Sequence, residues 1–169
     1  MSTVVRVLLA DDHRIVREGL KMVLADDPDL QVVAEADNGP AVLAQVQALQ
    51  GRLGVDVVLL DIALPDMDGL DVLQALRRDW PDLPVLMLST YPEKQYAVRC
   101  LQLGAAGYLN KSTDTDALMA ALRRVAAGGL HVSAATAEAL AKRVSQGRTK
   151  TGIELLSHRE HQVYVLLTQ

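Results

Sequence analysis

The sequence predicts an α/β fold in which five parallel strands form one doubly wound sheet. Two observations carry this prediction. Strand-like and helix-like segments alternate five times, and the strand-like segments are short apolar runs while the helical ones repeat apolar residues every three to four positions. A run that is apolar throughout, such as residues 57–60, is typical of a central parallel strand covered by helices on both faces.

The individual elements follow from this alternation. The predicted strands are residues 4–10, 30–36, 55–60, 84–88 and 107–109. The helices after them carry apolar stripes over residues 15–24, 42–49, 70–76, 96–103 and 114–127. Residues that stop helices lie at or beyond their ends, namely Pro28, Gly51, Pro81, Gly104 and Gly128. With right-handed crossovers, we expect the flavodoxin-like strand order 2-1-3-4-5, whose ligand crevice lies between the ends of strands one and three.

Composition excludes several classes of protein. Half of the 169 residues are hydrophobic, and Phe is absent, so the core must be aliphatic. A net charge of -4 argues against a chain that wraps nucleic acid by bulk charge. Cys100 is the only cysteine, which excludes an internal disulfide and fits a reducing cytosol. No apolar run approaches the roughly 18 residues of a membrane span, so we expect a soluble cytoplasmic protein without membrane contacts.

Five polar side chains are predicted to meet at one edge of this sheet. Asp11 and Asp12 follow the first strand, Asp61 the third, Ser89 the fourth and Lys111 the fifth. Three carboxylates this close repel one another, and a hard divalent cation such as Mg²⁺ relieves the repulsion. With a lysine to balance phosphoryl charge, the set suits phosphoryl transfer to Asp61. Taken singly, each residue has a plainer interpretation, such as an aspartate that caps a helix or a solvated lysine.

Four segments strengthen the combined interpretation. DDHRIVREGL, DIALPDMDGL, LST and GAAGYLNK resemble the receiver domain of two-component response regulators, over about residues 4–129. The resemblance implies that Asp61 is the phosphoacceptor. It also implies that Asp12, Asp61 and the backbone carbonyl of Ala63 bind Mg²⁺ directly, while Asp11 acts largely through water.

The resemblance also assigns a catalytic lysine and a conformational switch. Lys111 matches the family's active-site lysine, Ser89 its switch hydroxyl, and Tyr108 the aromatic residue whose ring turns inward. Two positions depart from the commonest pattern. Thr90 stands where a small residue usually follows the hydroxyl, which would narrow the path of the Tyr108 ring, and Ser112 stands where many receivers have proline.

The last 40 residues have a different character. We expect a helix over residues 133–144 and a polar linker over 145–152. The chain therefore divides into a receiver domain at 1–130, a linker helix and linker at 131–152, and a third unit at 153–169.

That third unit resembles the start of a LuxR-type helix-turn-helix. Ser157, Arg159 and Glu160 match the signature of the NarL/FixJ group, and His158 replaces its proline. The later helices, including the one that enters the major groove, are absent, so we expect no specific DNA binding without a complete output domain. The alternative is an unrelated amphipathic helix.

The resemblance implies a phosphorylation-dependent receiver that takes its phosphoryl group from a sensor histidine kinase. Phosphorylation would switch its conformation, favour a homodimer and control transcription. It would not be a turnover enzyme, apart from slow autodephosphorylation. A hydrolase of the haloacid dehalogenase type is disfavoured, because it needs a second aspartate where Ala63 stands. A phosphorylation-independent pseudo-receiver, acting as a binding or dimerisation module, is the remaining alternative.

Overall fold

The centre of the fold is a sheet of five parallel strands. A computed structural model describes residues 4–91 and 93–146, with the backbone alone for residues 93–95 and 143–146. The strands are β1 (Val5–Ala10), β2 (Leu30–Ala36), β3 (Val57–Asp61), β4 (Val85–Ser89) and β5 (Gly107–Asn110). They pair in the order β2-β1-β3-β4-β5, and every pair is parallel. The predicted flavodoxin-like order is confirmed.

Helices cover both faces of the sheet. They are α1 (Arg14–Ala25), α2 (Gly39–Ala48), α3 (Gly69–Asp79), α4 (Glu93–Gln102), α5 (Thr115–Ala126) and α6 (Ala134–Gln146). The buried residues of α2 and α3 join one hydrophobic cluster, and those of α1 and α5 join the other. The sheet therefore separates two aliphatic cores.

The apolar run of β3 contributes to both cores. Val58 and Leu60 belong to the cluster under α2 and α3, while Val57 and Leu59 belong to the cluster under α1 and α5. This alternation is the two-residue period of a strand. Because both faces are covered by helices, all four side chains are buried. The residue that follows them, Asp61, is thereby held at the end of a strand that is buried along its whole length.

Several element boundaries differ from the predicted ones by one to three residues, and two of these differences have a clear physical reason. α2 begins at Gly39, three residues before the predicted stripe, because Asn38 caps it by accepting a 2.8 Å hydrogen bond from the Ala41 amide. Pro40 fits the first turn of a helix, where its missing amide hydrogen is not needed. β3 extends through Asp61, which pairs with Leu88 of β4, so the acid is part of the strand rather than of the loop after it.

The predicted sixth helix is present as α6. Ser133 caps it, since its hydroxyl accepts a 3.1 Å hydrogen bond from the Thr136 amide. The division at residues 130 and 152 stays a prediction, and residues 153–169 lie outside the described part of the chain. Among the described residues, no helix combines the length and apolar character needed to cross a membrane.

Candidate functional site

Three carboxylates and a histidine meet at the carboxyl end of the central strands. Asp11, Asp12 and His13 follow β1 directly, and Asp61 is the last residue of β3. One potential ligand atom from each of these four side chains lies within 4.8 Å of the others. Asp11 and Asp61 are each only 2% exposed, whereas Asp12 and His13 face solvent. The structure thus brings the three predicted acids together.

Lys111, immediately after β5, joins the two buried acids. Its Nζ atom lies 2.8 Å from Oδ2 of Asp11 and 3.0 Å from Oδ2 of Asp61. Burial opposes the charged ammonium, but hydrogen bonds to both carboxylates outweigh it, and the pKa of Lys111 is raised. The lysine therefore remains positively charged at neutral pH, between the two acids that most need a counter-charge.

The pKa of the Asp61 carboxyl is raised although the Lys111 ammonium contacts it. Burial raises its pKa, the Lys111 ammonium opposes that rise, and the negative charge of Asp11 adds to it. The amide of Ala63 donates a 3.2 Å hydrogen bond to Oδ1 of Asp61. Gly69 lies against the same backbone, since an added Cβ would overlap the Asp61 carbonyl oxygen and lie 2.6 Å from Cα of Ile62. Only glycine lets α3 begin this close to the acid.

The loop that carries Asp11 and Asp12 is held from two sides. The His13 amide donates a 2.8 Å hydrogen bond to Oδ1 of Asp11, and Nδ1 of His13 lies 3.2 Å from Oδ1 of Asp12. Arg17, one turn into α1, donates from Nη1 to the Asp11 carbonyl oxygen at 2.6 Å. Its Nε atom lies 3.4 Å from Oε1 of Glu35 on β2. Arg17 thus ties the acidic loop to α1 and to the neighbouring strand.

Ser89 and Tyr108 meet at the backbone of Tyr91. The Ser89 hydroxyl accepts a 2.9 Å hydrogen bond from the Tyr91 amide, and the Tyr108 hydroxyl donates to the Tyr91 carbonyl oxygen at 2.7 Å. The Tyr91 ring stacks on Tyr96 of α4, with ring centroids 4.7 Å apart. The Tyr108 side chain is buried, and Thr90 is exposed. The narrowing expected at Thr90 stays a prediction.

A family model described as the response regulator receiver domain matches residues 7–123. The chain belongs to this family. It is 37% identical over 164 residues to the response regulator GacA of Pseudomonas viridiflava, an alignment that covers 96% of this chain and 75% of the relative. Relatives of this kind are NarL/FixJ-type response regulators, which confirms the predicted group.

Solved receiver structures share the fold. The signal receiver domain of the putative response regulator NarL from Mycobacterium tuberculosis aligns with a TM-score of 0.69 and 36% identity, covering 75% of this chain and 98% of that one. A two-component response regulator of the LuxR family from Aurantimonas aligns with a TM-score of 0.74 and 28% identity, covering 83% and 98% of the two chains. The receiver portion is therefore matched nearly from end to end.

The donor set of this receiver fits a hard divalent cation. Asp11, Asp12 and Asp61 offer carboxylate oxygens, the ligands that Mg²⁺ prefers, and the Lys111 ammonium lies between Asp11 and Asp61. The Ala63 amide places that residue beside Asp61, while the ligand role of its carbonyl stays a prediction.

Sequence reasoning missed the residues that hold the receiver site in place. Arg17 was not singled out, although it lies one helical turn after His13 and could therefore reach back to the acidic loop. The partner of Arg17 on β2, Glu35, gave no signal, since its position beside α1 depends on tertiary packing. The carbonyl of Tyr91 likewise gave none, because backbone acceptors are not visible in residue types.

Proposed function

We propose that Asp61 accepts a phosphoryl group from a sensor histidine kinase and that the resulting change controls a transcriptional output. The observation that carries this proposal is the Lys111 ammonium, placed between the buried carboxylates of Asp11 and Asp61 at the end of the central strand. A purely structural ion pair needs one acid for one base. Here two buried acids share one base and a third lies beside them, an arrangement that suits an added cation and a phosphoryl group.

The transfer is an in-line displacement on phosphorus. A carboxylate oxygen of Asp61 forms the new P–O bond as the P–N bond to the kinase histidine breaks, and the electron pair of that bond stays on the histidine nitrogen. Lys111 is placed to stabilise the charge on the transferring oxygens. Asp11, Asp12, Asp61 and the Ala63 carbonyl would hold Mg²⁺, which supplies further neutralisation of that charge.

Ser89 and Tyr108 would convert the phosphoryl group into a change of shape. A hydroxyl that turns toward a phosphoryl oxygen must give up its present hydrogen bond from the Tyr91 amide. Tyr91 also accepts from Tyr108 and stacks on Tyr96, so a change at Ser89 reaches both α4 and β5. This would shift a two-state equilibrium without turnover chemistry, apart from slow autodephosphorylation.

The proposed control of transcription rests on the family to which the chain belongs. One relative is the transcriptional regulatory protein DegU of Brevibacillus brevis, which is 36% identical over 128 residues that cover 76% of this chain and 52% of that protein. By analogy, we propose that phosphorylation favours a homodimer and that DNA binding requires a complete output domain. The cytoplasmic location stays a prediction.

Intact mass tests the proposal directly. Wild type treated with acetyl phosphate and Mg²⁺ should gain the mass of one phosphoryl group, and Asp61→Asn should gain none. Equal labelling of both would move the site elsewhere. An unlabelled wild type would overturn the proposal and favour the phosphorylation-independent binding module. Asp56→Asn, which removes a carboxylate at the opposite end of the sheet, is the matched control and should label like wild type.

A further inference from the structure

His13 adds a nitrogen atom to a group of potential metal ligands that otherwise offers only oxygen. Its imidazole belongs to the same cluster as the carboxylates of Asp11, Asp12 and Asp61, with one ligand atom from each side chain within 4.8 Å of the others. Mg²⁺ takes oxygen ligands, whereas imidazole suits Zn²⁺, Ni²⁺ and Cu²⁺. The cluster therefore contains a donor that the proposed Mg²⁺ site does not use.

Three of these atoms are spaced like ligands of a single ion. Nδ1 of His13 lies 3.1 Å from Oδ1 of Asp11 and 3.2 Å from Oδ1 of Asp12. Two ligand atoms that are each about 2.1 Å from one metal ion lie about 3.0 Å apart at a right angle and about 3.4 Å apart at the tetrahedral angle. Both measured distances fall between these two values, so one ion can contact Nδ1 and both carboxylates.

The backbone fixes the imidazole beside the acids. His13 is the residue before α1, and its amide donates a 2.8 Å hydrogen bond to Oδ1 of Asp11. Its carbonyl oxygen accepts a helical hydrogen bond of α1, from the Arg17 amide at 3.0 Å. The His13 side chain is 61% exposed, which leaves the ring accessible to an ion from solvent. Ligands that are held in place before the ion arrives lose little freedom when it binds.

The neutral imidazole can offer Nδ1 to a metal. Of its two ring nitrogens, one carries a proton and the other has a free lone pair. Without a metal, the contacts of Nδ1 with two carboxylate oxygens suit a nitrogen that carries the proton. With a metal, the tautomer that has its proton on Nε2 leaves the Nδ1 lone pair for the ion.

We propose that His13 coordinates metal through Nδ1, so that the cluster binds borderline divalent ions such as Zn²⁺ and Ni²⁺ through one nitrogen and carboxylate oxygens. Mg²⁺ binds through oxygen alone. This inference deepens the metal site of the proposed function and rests on that part of it. The reason is ligand type, because imidazole is a good ligand for borderline ions and carboxylate oxygen for Mg²⁺. His13 therefore widens the range of ions that the cluster binds tightly.

The test compares Zn²⁺ and Mg²⁺ binding by titration calorimetry in wild type, His13→Ala and His13→Asn, each as the whole chain without a polyhistidine tag. His13→Ala removes the ring. His13→Asn is the matched variant, since its amide group can occupy the position of Nδ1 and donate a hydrogen bond to the carboxylates but offers no imidazole nitrogen. His131, His158 and His161 stay in all three proteins, so a difference between them reports position 13.

Both variants should bind Zn²⁺ at least about 10-fold more weakly than wild type, since loss of a residue that only orients a metal ligand already costs about that much. The Mg²⁺ affinity of His13→Asn should stay close to that of wild type. Equal losses for Zn²⁺ and Mg²⁺ in His13→Asn would overturn the inference and limit His13 to holding the acidic loop. An unchanged Zn²⁺ affinity in that variant would overturn it as well.

Nitrogen NMR of isotopically labelled wild type identifies the ligand atom directly. The ring signals of His13 are assigned by their absence from His13→Asn. On addition of Zn²⁺, the Nδ1 signal should move to the range of a metal-bound nitrogen and the Nε2 signal to that of a protonated one. Ring signals of His13 that stay in place while Zn²⁺ binds would overturn the inference.

The mass gain with acetyl phosphate and Mg²⁺ tests the proposed function separately. A mass gain without Zn²⁺ coordination at His13 overturns this inference alone. Zn²⁺ coordination at His13 without a mass gain overturns the proposed phosphoryl transfer and supports the metal site.

Discussion

At the amino end of the sheet one arginine pairs with one aspartate, whereas at the carboxyl end two buried carboxylates share one lysine and a third carboxylate lies beside them. Arg6 on β1 donates from Nε to Oδ2 of Asp56 at 3.0 Å and from Nη2 to Oδ1 at 3.1 Å, and its amide donates to the same carboxylate at 2.8 Å. Burial alone would raise the pKa of Asp56, but the Arg6 hydrogen bonds outweigh it and the pKa is lowered. The pKa of Asp61 moves the other way.

The difference separates an ion pair that stabilises the fold from a group prepared for chemistry. A carboxylate with a lowered pKa is better off charged in the folded protein than in the unfolded chain, so it adds stability. A buried carboxylate with a raised pKa is worse off, and the fold tolerates it only because other contacts offset the difference. Such groups concentrate at functional sites.

Removing the shared lysine should have the largest effect. Lys111→Met leaves the buried carboxylates of Asp11 and Asp61 without their counter-charge, and we expect a loss of about 3 kcal/mol in the free energy of unfolding at pH 7. Mg²⁺ should restore part of it, since a divalent cation neutralises the same acids. Chemical denaturation with and without Mg²⁺ measures both effects.

Lys21→Met is the control for that experiment, because the Lys21 ammonium pairs with Glu18 and Glu35 at the protein surface. Its stability should not respond to Mg²⁺ more than wild type does. If Lys111→Met were as stable as wild type without Mg²⁺, the carboxyl-end acids would not need the lysine in the folded state.

At the amino end, Asp56→Asn should lower the free energy of unfolding by about 1 kcal/mol, since the pair is partly exposed and partly screened. Because the folded pKa of Asp56 is lowered, its contribution is present above its ordinary pKa of 3.8 and is lost as pH falls through the folded value. The gap between variant and wild type should therefore close in acid. A gap that is equally wide at pH 7 and near pH 3 would contradict the assignment.

The arginine that holds the acidic loop should affect metal affinity rather than global stability. Arg17→Met should weaken Mg²⁺ binding about 10-fold, the lower range for residues that orient metal ligands, because the Asp11 carbonyl loses its anchor. Titration calorimetry measures the affinity. Lys21→Met removes the other cation on Glu35 without touching that loop, and its Mg²⁺ affinity should match wild type. Equal affinities for all three proteins would limit Arg17 to a structural role.

Most of the fold was accessible to sequence reasoning, because apolar runs and helical stripes reflect burial that a parallel sheet imposes. One boundary error, at Gly39, arose where a capping side chain extends a helix beyond its apolar stripe. Asp11, Asp12, Asp61, Ser89 and Lys111 were placed at one edge because the ends of parallel strands must meet there.

Other features depend on tertiary packing that residue types do not encode. The contacts of Lys111 with Asp11 and Asp61 depend on the conformation of its long side chain, which residue types do not determine. The inward position of Tyr108 requires an acceptor on the backbone of Tyr91. The bridge between His131 and Gly107 joins residues that are separated along the chain by the whole of α5. In the sequence, a glycine at position 107 is equally compatible with the ordinary start of a strand.

The bridge between His131 and Gly107 also affects self-association. An uncovered edge strand presents unpaired amides and carbonyls that can pair with another chain. Here the carbonyl of Ala106, just before β5, is already occupied by the His131 amide, and α6 covers the neighbouring helix. Removing residues 130–146 would therefore expose the edge of β5 to pairing with another chain as well as remove α6.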